Sequence, residues 1–172
     1  MVEIELEKTY LAKRLPEGLE SLPHKEIIDI YIPADEAHPC LRIRKRGDRF
    51  EITKKVPVSG TDASAQAEHT IKLTPREFEA LSTVVGKKAR KIRYEYIHEG
   101  SKGEIDVFQD DLAGLVLVDF EFTDESKKEA FSKPNFCLVD VTQENAFAGG
   151  MLCGKKYSDI ESRLNEFGYK KL

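Results

Sequence analysis

No CxxC pair, no internal repeat and no long apolar run occurs in these 172 residues, and each absence removes a class of protein. Cys40, Cys137 and Cys153 are an odd number without paired spacing, and the opening MVEIELEKTY holds no apolar signal region, so a reducing, cytoplasmic location is expected. Nothing approaches the roughly 20 apolar residues that a membrane span needs, which predicts a soluble chain with no membrane partner. His24, His38, His69 and His98 fall in no metal-ligand spacing, and the cysteines have no matched His/Asp arrangement; packing or surface roles are expected of both sets. The most basic run lacks interleaved stacking aromatics and the net charge is -4, so nucleic acid is not an expected partner. With no low-complexity linker, residues 1–172 read as one domain, long enough to bury a continuous core as a monomer or homodimer.

What the chain has in excess is charge. Asp, Glu, Lys and Arg make up 34%, against about 25% in ordinary globular proteins. The signs are segregated. Residues 41–55, LRIRKRGDRFEITKK, carry seven basic and two acidic side chains, and 86–93, GKKARKIR, carry five basic and none acidic. Acid gathers instead in EIELE near the start and in DFEF at 119–122.

Period-2 alternation, the mark of a strand with two unlike faces, recurs along the chain. Glu3, Glu5, Glu7 and Thr9 share a face opposite Ile4, Leu6 and Tyr10. Asp29 and Tyr31 alternate with Ile28, Ile30 and Ile32, Arg42 and Arg44 with Leu41 and Ile43, and Glu51, Thr53 and Lys55 with Phe50 and Ile52. Further strands are predicted over 66–73, 90–97, 103–108 and 115–122. Thr74, Pro75 and Glu77 form a capping box that opens a helix bearing Phe78 and Leu81 and ending by Gly86. Ser158 with Glu161 is expected to open the last helix, which carries Ile160, Leu164 and Phe167 and stops at Gly168. A helix over 123–132 closes before Pro134, a weaker one over 142–152 is interrupted by Gly149 and Gly150, and 56–67 reads as a flexible loop.

The sorting of sign between strands decides the architecture. Acidic faces at 3–7, 104–106 and 119–121 answer basic faces at 42–44 and 91–93. The prediction is an α+β fold: an eight-stranded antiparallel β-barrel, a tunnel with charged lumen, with helices packed outside. Such a lumen is too costly to desolvate unless ions or a ligand pair with it.

The order of these strands resembles the CYTH superfamily, the triphosphate tunnel enzymes that include class IV adenylyl cyclase, thiamine triphosphatase and bacterial inorganic triphosphatases. The resemblance covers nearly the whole chain. It runs through Glu5-Leu6-Glu7-Lys8-Thr9, Arg42-Ile43-Arg44, Thr53-Lys54-Lys55, Lys91-Ile92-Arg93, Glu104-Ile105-Asp106 and Asp119-Phe120-Glu121, the last after an LAGLV segment. Three departures stand out: Thr9 where the pattern has lysine, Glu68-His69-Thr70 in place of an ExE pair, and ENAFAGG where basic residues are common.

The resemblance implies a triphosphate-containing small molecule as substrate and Mg2+ or Mn2+ as cofactor, reached through carboxylates, waters and phosphate oxygens. It implies a metal set of Glu5, Glu7, Asp106, Asp119 and Glu121, and a phosphate set of Arg42, Arg44, Lys55, Lys91 and Arg93. Glu5 or Glu7 would also orient the attacking water, base and metal-ligand roles staying open between them. Hydrolysis of the triphosphate is the expected reaction. Cyclisation of ATP to cyclic AMP and pyrophosphate in a similar tunnel, and polyphosphate binding without turnover, are the alternatives.

Overall fold

Alternation of polar and apolar side chains builds nearly all of this molecule. The computed structural model describes residues 3–60 and 62–172; the side chain of Glu3 and all of Thr61, in the predicted 56–67 loop, lie outside that description. Strands are β1 (Glu3–Ala12), β2 (His24–Ile32), β3 (Leu41–Arg46), β4 (Arg49–Pro57), β5 (Ala65–Leu73), β6 (Lys87–His98), β7 (Ser101–Phe108), β8 (Val116–Phe122) and β9 (Cys137–Asp140). Helices are α1 (Pro75–Leu81), α2 (Glu125–Ala130), α3 (Gly149–Leu152) and α4 (Tyr157–Glu166).

Every pairing is antiparallel, in the order β5-β4-β3-β2-β6-β7-β8-β1. β5 then pairs with β1, Leu6 opposite Ala65, and closes an eight-stranded barrel. Closure leaves no long edge among these strands. The ninth strand was not foreseen: β9 pairs with Tyr10–Ala12 along the edge of β1 that β5 leaves after Leu6.

Two hairpins are set by two-residue turns, where the right-handed twist of the strands requires positive φ. Arg46 pairs with Arg49 across Gly47-Asp48, with Gly47 at φ 56°. His98 pairs with Ser101 across Glu99-Gly100, at φ 48° and 80°.

Outward-facing Tyr10, Val118, Phe120 and Phe122 form one core, against Phe131 and Phe136. A second core, with Leu11, Phe108, Leu117, Phe147, Leu152, Ile160 and Leu164, sits where β1 and β7 end and β8 begins, under α3 and α4. Burial of each such side chain contributes about 1.5–3 kcal/mol, so this second core fixes α3 and α4 over one end of the barrel.

The capping box of α1 is present, Glu77 N–H donating to Thr74 Oγ1 at 3.2 Å and Thr74 N–H to Glu77 Oε2 at 2.7 Å. The helix stops at Leu81 rather than near Gly86, because the Ser82 and Thr83 hydroxyls donate to the carbonyls of Glu79 and Ala80 that would otherwise seek a further turn. α4 begins one residue before Ser158: Tyr157 is buried, and Asp159 rather than Glu161 closes the turn, accepting from Lys156 N–H at 2.8 Å. Gly168 ends it at φ 69°. The 142–152 segment forms a 3-10 turn at Asn145–Phe147 followed by the short α3. Among the described residues, no helix is long and apolar enough to cross a membrane.

Candidate active site

All ten site residues named from the sequence line one cavity of about 550 Å³ inside the barrel. Inward positions of β7, β8 and β1 supply an acidic wall of Glu104, Asp106, Asp119, Glu121, Glu5 and Glu7. Inward positions of β3, β4 and β6 supply Arg42, Arg44, Arg46, Lys55, Lys91 and Arg93. Register brings like charges together on the acidic side, with Glu7 directly opposite Glu121 and Glu104 opposite Asp119. Such pairs repel. Burial, and then the neighbouring charges of Asp106 and Glu7, push the Asp119 carboxyl up to about 6.

Most of the cations are already engaged. Arg44 makes a bidentate pair with Asp29, Nε to Oδ1 at 2.6 Å and Nη2 to Oδ2 at 2.8 Å, both side chains 6% exposed. Arg93 grips Asp106 in the same way, at 2.7 Å for both contacts, and also pairs with Glu104. Lys91 closes on Asp106 from the other side. Burial alone would raise the Asp106 carboxyl, but Arg93 and Lys91 outweigh it and hold that group well below the usual carboxylate range. Lys55 bridges Glu5 and Glu7, at 2.8 and 2.9 Å. Arg42 differs: Nη1 donates to Tyr31 Oη at 3.2 Å, Nη2 lies 3.9 Å from Glu68, and its buried Nε has no partner among the described residues.

Comparison with known proteins gives this arrangement a relative. The inorganic triphosphatase of Nitrosomonas europaea is 28% identical over 146 residues, 83% of this chain and 92% of that protein. The crystal structure of the inorganic triphosphatase NE1496 superposes with a TM-score of 0.64 at 24% identity, covering 88% of this chain and 95% of that one. No protein-family model matches the chain. The paired motifs stand in family order, and they face one another inside the closed barrel. In fold and in the order of its paired motifs the chain is similar to the CYTH superfamily. A putative adenylate cyclase from Bacillus halodurans shares the fold, with a TM-score of 0.55 at 18% identity over 99% of this chain and 93% of that one.

Within the CYTH frame the acidic wall has the donor chemistry for a hard divalent cation: two carboxylates from β1, Glu5 and Glu7, and two from β8, Asp119 and Glu121. The Asp119 carboxyl is raised first by burial and then by Asp106 and Glu7, and Arg93, 3.9 Å away, and Lys91 offset this only in part. The donors fit in kind without being preassembled. Among the described residues no three His, Cys, Asp or Glu side chains converge as a metal site. Asp106, 1% exposed between Lys91 and Arg93, is the member most fully committed elsewhere.

Tyr31 and Arg46 line the cavity without having received a role from the sequence, and Asp29, on the same strand face as Tyr31, pairs with Arg44 behind it. Lys155 and Lys156 do not line the cavity. Thr9, in place of the CYTH lysine, donates its hydroxyl to Asp119 Oδ1 at 2.7 Å, and its N–H donates to Thr142 Oγ1 at 3.0 Å. A lysine there would bring a cation to Asp119 and Glu7, whereas the threonine offers a neutral hydrogen bond. Thr9→Lys is therefore expected to tighten tripolyphosphate binding by about tenfold at low metal, with a smaller gain at saturating metal. Calorimetric titration across Mg2+ concentrations checks this; no gain at any level would mean that position 9 does not act on bound phosphate.

Proposed function

We propose that this protein hydrolyses inorganic tripolyphosphate, or a similar organic triphosphate, inside the barrel with Mg2+ or Mn2+ held by Glu5, Glu7, Asp119 and Glu121. The observation that carries the reading is the juxtaposition, in one cavity of about 550 Å³, of an acidic wall of Glu5, Glu7, Asp119 and Glu121 with a basic wall that includes Arg42, whose Nε has no partner among the described residues. A lumen lined by both signs suits a ligand that brings anionic oxygens and cations together. The volume lies in the range of small-molecule sites, about 300–1,000 Å³.

Water attacks the terminal phosphorus, the bridging P–O bond breaks, and the electron pair leaves with diphosphate. A bound divalent cation supplies neutralisation of phosphate charge and a more acidic water. Glu5 or Glu7 orients that water and accepts its proton once Lys55 yields to the ligand. Arg42 and Lys55 stabilise charge developing on the leaving diphosphate. Arg44, Arg93 and Lys91 act in this scheme as a fixed cationic wall, their direct contacts held by Asp29, Asp106 and Glu104. The free thiols of Cys40, Cys137 and Cys153 suit a cytoplasmic setting.

Phosphate release from tripolyphosphate under Mg2+ and Mn2+, with ATP in parallel, tests the reading. Orthophosphate and pyrophosphate in equal amounts are expected, with loss of turnover on chelation. Cyclic AMP as the main product from ATP would replace it with a cyclase, and tight binding without release with a binding module. Glu7→Gln should lower turnover by about 100-fold or more, the scale of losing one preorganised charge contact. Near-normal rates at saturating metal would remove Glu7 from the site.

A further inference from the structure

The lumen has two unlike ends. Toward the ends of β1 and β7 the inward positions turn apolar: Leu11 follows Thr9, Phe108 follows Asp106, and on β8 Leu117 precedes Asp119. All three are 5% exposed or less and belong to the core under α3 and α4. The other end stays charged up to its rim, where Arg46, Glu51 and Glu121 line the cavity.

Lys102 stands on this rim, two residues before Glu104 and therefore on the same strand face. It lies directly opposite Glu121 in the β7–β8 register, while Glu7 lies opposite Glu121 on the β1 side. Glu121 thus sits between one cation and one like charge. The Lys102 ammonium donates to Glu121 Oε2 at 2.9 Å and lies 3.6 Å from Glu104 Oε1. Glu104 has further partners in Arg93 and Arg46, whereas Lys102 is the one cation paired with Glu121 among the described residues. A divalent cation that draws on Glu121 has to displace that ammonium. Deeper in the tunnel Lys55 stands in the same relation to Glu5 and Glu7, but it is mostly enclosed, whereas Lys102 is 50% exposed and can be solvated by water once it lets go.

We propose that Lys102 is a positioning residue that holds Glu121 at the rim and competes with the divalent cation for it, and so sets the metal concentration at which the tunnel loads. The inference rests on the metal set proposed above and adds a residue of the chain that opposes loading. Exposed ion pairs are weak and screened by salt, so the effect is modest, about threefold in affinity at low ionic strength.

Lys102→Met keeps most of the side chain and removes the charge; Lys102→Arg keeps the charge. Titration with Mn2+ alone, read from the electron paramagnetic resonance signal of the free ion, needs neither substrate nor turnover. Lys102→Met should bind Mn2+ about threefold more tightly than wild type at low ionic strength, with the gain fading in high salt and Lys102→Arg close to wild type. In a Glu121→Gln background the same Lys102→Met change should leave Mn2+ affinity unaltered, because the contested carboxylate is gone. A lysine that only braces the β7–β8 rim gives the opposite sign, since its loss would loosen Glu121 and weaken Mn2+ binding. Equal or weaker binding by Lys102→Met, beside a wild type that binds Mn2+, would overturn the competition and spare the metal set. A gain that persists in the Glu121→Gln background would overturn it as well, by placing the effect on another carboxylate. A wild type that binds no Mn2+ would overturn both the competition and the metal set.

Discussion

Asp119→Asn is expected to make the metal-free protein more stable and, at the same time, catalytically inert. Burial first, and then Asp106 and Glu7, lift the Asp119 carboxyl from 3.8 to about 6, with Arg93 and Lys91 opposing. A carboxyl whose value is raised in the fold binds its proton more tightly there than in the unfolded chain. Stability therefore falls as pH climbs through the window from about 4 to 6, and the penalty is complete above it. The gap corresponds to about 3 kcal/mol. Asparagine removes the charge yet still accepts from the Thr9 hydroxyl, now 2.7 Å from Oδ1. Melting in EDTA should show Asp119→Asn higher than wild type by several degrees at neutral pH, with the difference vanishing toward about pH 4, where both chains are neutral at this position. Turnover in Mg2+ should fall by about 100-fold or more. Identical melting at every pH would mean that Asp119 carries no such strain.

The strain at Asp119 also shows what sequence reading reaches. Period-2 alternation told which side chains share a face, and Glu5, Glu7, Arg42, Arg44, Lys55, Lys91, Arg93, Asp106, Asp119 and Glu121 all line the cavity. Alternation gives the face but not the height along the barrel, which depends on register between strands far apart in sequence. Lys55 therefore met Glu5 and Glu7 without any local cue, and Asp29 met Arg44 in the same way. β9 was illegible for a related reason: Cys-Leu-Val-Asp is too short to alternate, and it is a strand because β5 vacates the edge of β1. At α4, Ser158 with Glu161 and Lys156 with Asp159 offer competing starts, and burial of Tyr157 decides between them. The apolar end of the lumen escaped because the inward residues Leu11, Phe108 and Leu117 look, along the chain, like ordinary core.

The same reasoning divides the two arginines of Arg42-Ile43-Arg44, which the sequence treats as one phosphate clamp. Arg44→Ala is expected to destabilise the protein by about 3–5 kcal/mol, because it strands a buried carboxylate. Asp29 is 5% exposed, and its two oxygens take the Nε and Nη2 of Arg44. Burial alone would raise the Asp29 carboxyl, but Arg44 more than offsets it and holds that group well below the usual range. In the wild type this depressed carboxyl contributes stability above the ordinary carboxylate value, lost as pH falls toward the folded value. Without Arg44 the sign reverses, since an unpaired buried carboxylate prefers its proton, so mild acid should partly rescue Arg44→Ala. The double variant Asp29→Asn with Arg44→Met should recover most of the loss, because removing both charges leaves nothing stranded. Arg42→Ala should instead keep the melting temperature near wild type and weaken tripolyphosphate binding by about tenfold or more. Urea denaturation of the three variants and the wild type at neutral and mildly acid pH decides between the two roles. An Arg44→Ala protein as stable as wild type would show that Asp29 does not depend on this contact, leaving the Arg44 guanidinium free to take phosphate beside Arg42.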